Sequence, residues 1–348
     1  MNGKRLRIAL IGCGGMAKKI RRRYLSIPGA ELALLVDTDE AEAASASEEL
    51  GGVPYTSRFG DALAEELDML DISTPNHLHM PQAVAALQAG KHVLIQKPLT
   101  PSVEEAERIV AVAAQSGKQA GMYMSFFDNP LYHEAKMIVD GGWIGRVVSV
   151  RCRGAGITGR SLKPENWRAS AEKTGGGAFI QLALHPVNMV QWLIGDTIES
   201  VAAFCHNRFS PHVGGDDASA AICRFAGGAL GTLEASYCSP QFSLAVFGTE
   251  GYIIITESNR VEAQLRAPFQ GAFIRCLQAE TVYDAVFPQF TPSSVQLDHN
   301  PYNQHAAFVS AVLEGRTPPV PVEHGLRDLR IVQAVYRSAR EQTFVKVE

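Results

Sequence analysis

Lys97 stands where an apolar run, HVLIQ at 92–96, ends, with Gln96 before it and Pro98 after it. A lysine held still at such a point is a candidate for proton transfer. The second candidate is His185, within GGGAFIQLALHPVNMVQWLIG at 175–195. Gln181, His185 and Asn188 follow the spacing i, i+4, i+7, which puts them on one face of a helix. A polar face on so apolar a helix argues against a purely core role. A solvated strand-end lysine and a buried, hydrogen-bonded histidine are the competing readings.

A third constellation is GCGGMA at 12–17, directly after the apolar run LRIALI at 6–11. It matches G-x-G-x-x-G/A, with Gly12 for the tight turn, Gly14 for close approach of a pyrophosphate and Ala17 as the small third residue. Cys13, Gly15 and Met16 complete the phosphate-facing loop, and the following helix N-terminus favours anions. Asp37 ends the next strand, about 20 residues past the motif as a dinucleotide site requires. Its carboxylate accepts from ribose hydroxyls and repels a 2′-phosphate. Thr38 and Asp39 add no Arg or Lys to hold that phosphate, so the expected cofactor is NAD in preference to NADP.

These residues need a frame. Strand-like runs at 6–11, 31–37, 68–73, 92–96 and 119–124 alternate with helical stretches, from the glycine turn to about residue 27 and at 40–50, 81–90 and 101–117. That alternation argues for a doubly wound parallel sheet. After about residue 125 the runs RVVSVRCRG, SVAAFCHN, DASAAICRFA, ALGTLEASY, LAVFGTEGYIIIT and RVEAQLRA are separated by turn residues, with helices at 130–140 and 178–194. This predicts an α/β domain with an open, mostly antiparallel sheet and helices on one side. Two helices close the chain, and a Pro-rich loop is expected at 280–301. The domains are drawn at 1–125 and 126–348.

Taken together, GCGGMA, STPNHLH at 73–79, QKP at 96–98, NWR at 166–168, the 175–195 segment and DDASAAICRF at 216–225 resemble the glucose–fructose oxidoreductase/inositol dehydrogenase/rhizopine-catabolism (Gfo/Idh/MocA) family over essentially the whole chain. The resemblance implies an N-terminal Rossmann domain, and Lys97 between nicotinamide and substrate, next to a peptide bond before Pro98 that is often cis. It implies that Ser73, Thr74, Pro75, Asn76, His79 and Gln96 line the cofactor, and that Trp167 and Arg168 lie near cofactor and substrate. It implies substrate contacts from Lys97, Gln181, His185 and Asn188, with the substrate, a sugar or cyclitol, held between the domains. A homodimer or homotetramer formed through the open sheet is implied too. Three positions depart from the pattern. Gln96 replaces a glutamate, and Gln181 and Asn188 replace aspartates, so the proton chemistry falls to Lys97 and His185. The expected activity is hydride exchange between nicotinamide and a secondary alcohol or ketone. A redox-neutral enzyme that retains NAD, and a non-catalytic dinucleotide sensor, are the alternatives.

Composition bounds the rest. The 348 residues are 46% hydrophobic and 20% charged, with net charge −4. That balance predicts no nucleic-acid or anionic-lipid partner. No apolar run reaches the ~18 residues of a membrane span. Six scattered cysteines without a CxxC pair fit a reduced, cytoplasmic setting. His77 and His79 do not make a metal site without further ligands, so none is expected. Tyr123 and Ser125 at a strand end, and Tyr237, Tyr302, Asn303 and His305, are further candidates for the substrate side.

Overall fold

The computed structural model describes residues 5–64, 66–256, 261–272, 274–276 and 302–348; the loop expected at 280–301 lies outside them. The described residues up to Asp128 and from 302 to Leu326 form one compact unit. Those from Asn129 to 276 and from Arg327 to Glu348 form a second.

The first unit is built on six parallel strands: β1 (Leu6–Ile11), β2 (Ala30–Val36), β3 (Tyr55–Thr56), β4 (Met69–Ile72), β5 (His92–Gln96) and β6 (Ala120–Tyr123). Their order is β3-β2-β1-β4-β5-β6, the doubly wound arrangement expected from the alternating runs. Strands β1, β4, β5 and β6 are almost wholly buried, as strands covered on both faces must be. The helices are α1 (Ala17–Ile20), α2 (Glu40–Glu49), α3 (Phe59–Ala64), α4 (His79–Gln88) and α5 (Val103–Ser116). Asp39 caps α2 and Ser102 caps α5, each accepting from N–H groups that the first turn leaves without helical partners. The helix expected to run to about residue 27 is instead one α-turn followed by a 3-10 stretch, Arg21–Ser26. Arg21 and Tyr24 are both buried there, and the tighter winding aligns residues three apart.

The second unit begins with α6 (Pro130–Asp140) and β7 (Val147–Ala155). After α7 (Ala171–Thr174), a π-helical turn, Phe179–Ala183, leads into α8 (Leu184–Ile194). Then come β8 (Ile198–His206), β9 (Ala218–Phe225), β10 (Leu230–Ser236), β11 (Ser243–Gly248), β12 (Tyr252–Thr256), β13 (Val261–Gln264) and a small hairpin, β14 (Phe269–Gln270) with β15 (Arg275–Cys276). The chain closes with α9 (Gln304–Glu314), which belongs to the first unit, α10 (Val322–Glu341) and β16 (Val345–Lys346). The eight-stranded sheet runs β13-β12-β11-β7-β10-β9-β8-β16. It is antiparallel except where β7 meets β10, so the mixed, mostly antiparallel sheet is as expected. Helix α8 packs on β7 and β10. On the opposite face Phe204 is 79% and Ile222 61% exposed, with Leu230 beside them.

Candidate functional site

Two strand ends meet at the switch point of the first sheet. β1 and β4 are neighbours, and Ser73 donates its N–H to Ile11 O at 2.7 Å. Gly12 turns there with φ +88°, and a Cβ on it would lie 3.0 Å from the Ser73 backbone. Only glycine tolerates both demands. Gly14 differs: a Cβ there would meet nothing within 4 Å, so its backbone is open to a ligand. Ala17 is fully buried, as a small residue between helix and strand should be. The turn therefore fits a dinucleotide pyrophosphate.

Asp37 braces this turn. Cys13 N–H donates to its Oδ2 at 2.7 Å, and Asp39 N–H to its Oδ1 at 2.9 Å. A carboxylate has about four acceptor positions, so capacity is left for ribose hydroxyls. Arg21 closes the loop from below, donating to Cys13 O at 3.1 Å and pairing with Glu49. Burial, and then the charge of Asp37, push the Cys13 thiol up to about 12. It stays protonated, although thiols near helix N-termini are often acidified.

The β4 and β5 ends are tied together by His79, which is fully buried. Its Nε2 lies 2.9 Å from Thr74 O and its Nδ1 2.9 Å from Pro98 O and 3.2 Å from Leu99 O. Burial pushes its pKa down, against those hydrogen bonds. The ring thus holds the segment that follows Lys97. Lys97 is half-buried and joined to Pro98 by a cis peptide. Gln96 Oε1 accepts the Lys97 N–H at 3.0 Å, and its buried Nε2 meets no partner among the described residues. A buried amide nitrogen in that position wants an acceptor, which a cofactor hydroxyl or carboxamide would supply. Thr74 donates to Gln82 at 2.6 Å, Asn76 is buried, and Thr38 is exposed.

In the second unit, the start of the π turn is gripped from two sides. Gly177 and Phe179 donate N–H groups to Asp216 at 3.0 and 2.9 Å. The Tyr336 hydroxyl donates to Asp216 at 2.8 Å and accepts from Gly177 and Ile180, each at 3.2 Å. Gly177 is required: a Cβ there would lie 1.9 Å from Asp216 O. The sequence predicts one continuous helix over 178–194. The π turn changes that, because its wider winding breaks the 3.6-residue phase between Gln181 and His185. Gln181 is buried and His185 half-buried. Asn188 is buried, and its amide donates to Asp328 on α10. Burial raises Asp328 to about 7, against hydrogen bonds from Asn188 and Gln191 and the charge of Arg327. The Arg168 guanidinium stacks 4.3 Å from the Trp167 ring centre, and desolvation lowers its pKa.

Lys97 belongs to the first unit and His185 to the second. Tyr123 is a core residue rather than a cleft residue, donating to Asp128 at 2.5 Å. Asn303 caps α9, and His305 is fully buried against the rings of Tyr24 and Tyr123. Asp216 opens the DDASAAICRF segment, but what it, Tyr336 and Asp328 do for this helix spans 37 to 159 residues and leaves no local pattern.

Residues 6–124 match the oxidoreductase family with an NAD-binding Rossmann fold, and residues 132–254 match the GFO/IDH/MocA C-terminal domain. The scyllo-inositol 2-dehydrogenase (NAD(+)) of Bacillus subtilis (strain 168) is 30% identical over 263 residues, 72% of this chain and 73% of that one. The chain belongs to the Gfo/Idh/MocA oxidoreductases. Across this family, the 1,5-anhydro-D-fructose reductase of Ensifer adhaerens is 26% identical over 98% of both chains. Among solved structures, aldose-aldose oxidoreductase from Caulobacter crescentus, complexed with glycerol, superposes with a TM-score of 0.82 at 26% identity. That match covers 99% of this chain and 100% of the other. The Gfo/Idh/MocA chain is thus an NAD-binding oxidoreductase. Among its described residues no helix is long and apolar enough to cross a membrane.

Proposed function

We propose that this oxidoreductase is an NAD-dependent dehydrogenase or reductase acting on a secondary alcohol or ketone of a sugar, cyclitol or derivative. The observation that carries this reading is Lys97, fixed at the carboxyl end of β5 by Gln96 and followed by the segment that His79 clamps. In a doubly wound sheet, ligands bind at that end of the strands. NAD, when bound, supplies the hydride acceptor. Lys97 and His185 then hold or move the hydroxyl proton, and Gln181 grips the substrate by neutral hydrogen bonds. Ser73, Thr74, Pro75, Asn76 and the 12–17 turn bind the nucleotide. Trp167 and Arg168 flank the substrate. Asp37 favours NAD over NADP, since its carboxylate and that of Asp39 repel a 2′-phosphate.

The names of the inositol and anhydrofructose relatives support a polyhydroxylated substrate. The exposed Phe204, Ile222 and Leu230 face supports a homodimer or homotetramer assembled through the open sheet, and the scattered cysteines support a cytoplasmic setting. A second reading keeps NAD bound and recycles it within one catalytic cycle. The likeness to an aldose-aldose oxidoreductase favours it. Purified protein screened with NAD against sugars, cyclitols and uronic acids tests both by the absorbance of NADH. Net NADH accumulation supports the first reading. Product formation without it, from protein that carries NAD through purification, supports the second. Silence across the panel, with NADH binding intact, contradicts both.

A further inference from the structure

We propose that Asp328 is the positioning residue for His185: from α10 its carboxyl holds α8 through Asn188 and Gln191 and so fixes where the imidazole stands. This rests on the reading of His185 as a proton-handling group. Asp328 is 0% exposed. Its Oδ2 accepts from Asn188 Nδ2, and its Oδ1 from Gln191 Nε2 at 3.1 Å. The direction of the second bond is settled by its surroundings. Gln191 Oε1 accepts the Ile198 N–H at 3.3 Å, and Nε2 also donates to Val187 O at 3.1 Å. The amide therefore presents its nitrogen, and Asp328 Oδ1 takes the N–H that Val187 O does not. Arg327 is the charged group recorded against the carboxyl, its Nε 4.0 Å from Oδ1.

Helix α8 is thus tied at 188 and 191 to α10, and at 191 to the start of β8. His185 precedes Asn188 by three residues, the spacing of neighbours on a helix surface. A slide or rotation of α8 moves the imidazole with it. Two buried hydrogen bonds to one carboxyl group fix geometry as well as adding stability. The π turn, Phe179–Ala183, precedes α8 directly, so the contacts at 188 and 191 hold α8 on the far side of that irregular turn.

The test reads His185 directly and needs no substrate. Diethyl pyrocarbonate acylates exposed neutral imidazoles, and peptide mass mapping gives the rate at His185 in the full chain. Asp328→Ala and Asn188→Ala should each change that rate by about fivefold or more, and the double variant no further, as for residues acting through one contact. Asp328→Asn should stay within about twofold of wild type, because a flipped Asn188 amide can accept from the new amide while Gln191 still donates. A purely structural role would lower the melting temperature and leave the His185 rate unmoved, which would overturn the proposal. So would additive effects of the two alanines. If Asp328→Ala does not fold, Asn188→Ala carries the test, and an unchanged rate in it is equally fatal. Turnover of His185→Ala examines the underlying reading separately: full activity there removes the catalytic role without touching the clamp.

Discussion

The two units hold their chemical groups in different ways. In the first, the partners are near in sequence. Cys13 meets Asp37, 24 residues on, and His79 meets Pro98, 19 residues on. In the second, the helix carrying Gln181 and His185 is held from afar. Tyr336 lies 156 residues from Ile180, and Asp328 140 from Asn188. A nucleotide turn must present backbone in one shape, which short loops between adjacent strands achieve. The helix that carries Gln181 and His185 is set in place instead by a sheet loop, through Asp216, and by α10.

If that contrast is right, damage to the helix should spare nucleotide binding. His185→Ala should lower turnover of the best panel substrate by about 10²–10⁴-fold, with NADH affinity by fluorescence titration unchanged. A matching loss of affinity would erase the distinction.

Stability should carry a pH signature from the second unit. Asp328 is raised from 3.8 to about 7 in the folded chain. Between those values the folded state holds a proton that the unfolded state has released. Stability therefore falls as pH rises from about 4 to 7, by up to ~4 kcal/mol from this group alone. Urea denaturation should show the slope in wild type and a flatter profile in Asp328→Asn. An unchanged slope would mean that other groups produce it.

Tyr336→Phe removes the hydroxyl shared by Asp216, Gly177 and Ile180 and should cost about 1–3 kcal/mol in the same assay. A loss well below 1 kcal/mol would show that Asp216 alone starts the helix. On the nucleotide side, Asp37→Asn keeps one acceptor and removes the charge. It should narrow the preference for NADH over NADPH by about tenfold, ~1.4 kcal/mol. An unaltered ratio would shift the discrimination to Asp39.

The same contrast explains what could be read from sequence. The glycine turn, Asp37 and the strand preceding Lys97 obey local spacing rules, so they were legible. The mostly antiparallel sheet was legible too, from short strand-like runs separated by turn residues. The π turn was not, because the spacing of Gln181, His185 and Asn188 fits a regular helix and the apolar residues around them, buried nearly all round, do not mark a wider turn. Nor were Tyr123 and His305 placed correctly: polar residues at element ends look alike whether they face a ligand or cap a core. Nothing near Asn188 in sequence reveals its pairing with Asp328, 140 residues away.

On the proposed mechanism, Lys97 handles the proton without being needed to hold the nucleotide. Lys97→Met, titrated with NADH and assayed on the same panel substrate, tests this most directly. NADH affinity should stay within about threefold of wild type while turnover falls by about 10²-fold or more. Turnover close to wild type, with the nucleotide still bound, would contradict it.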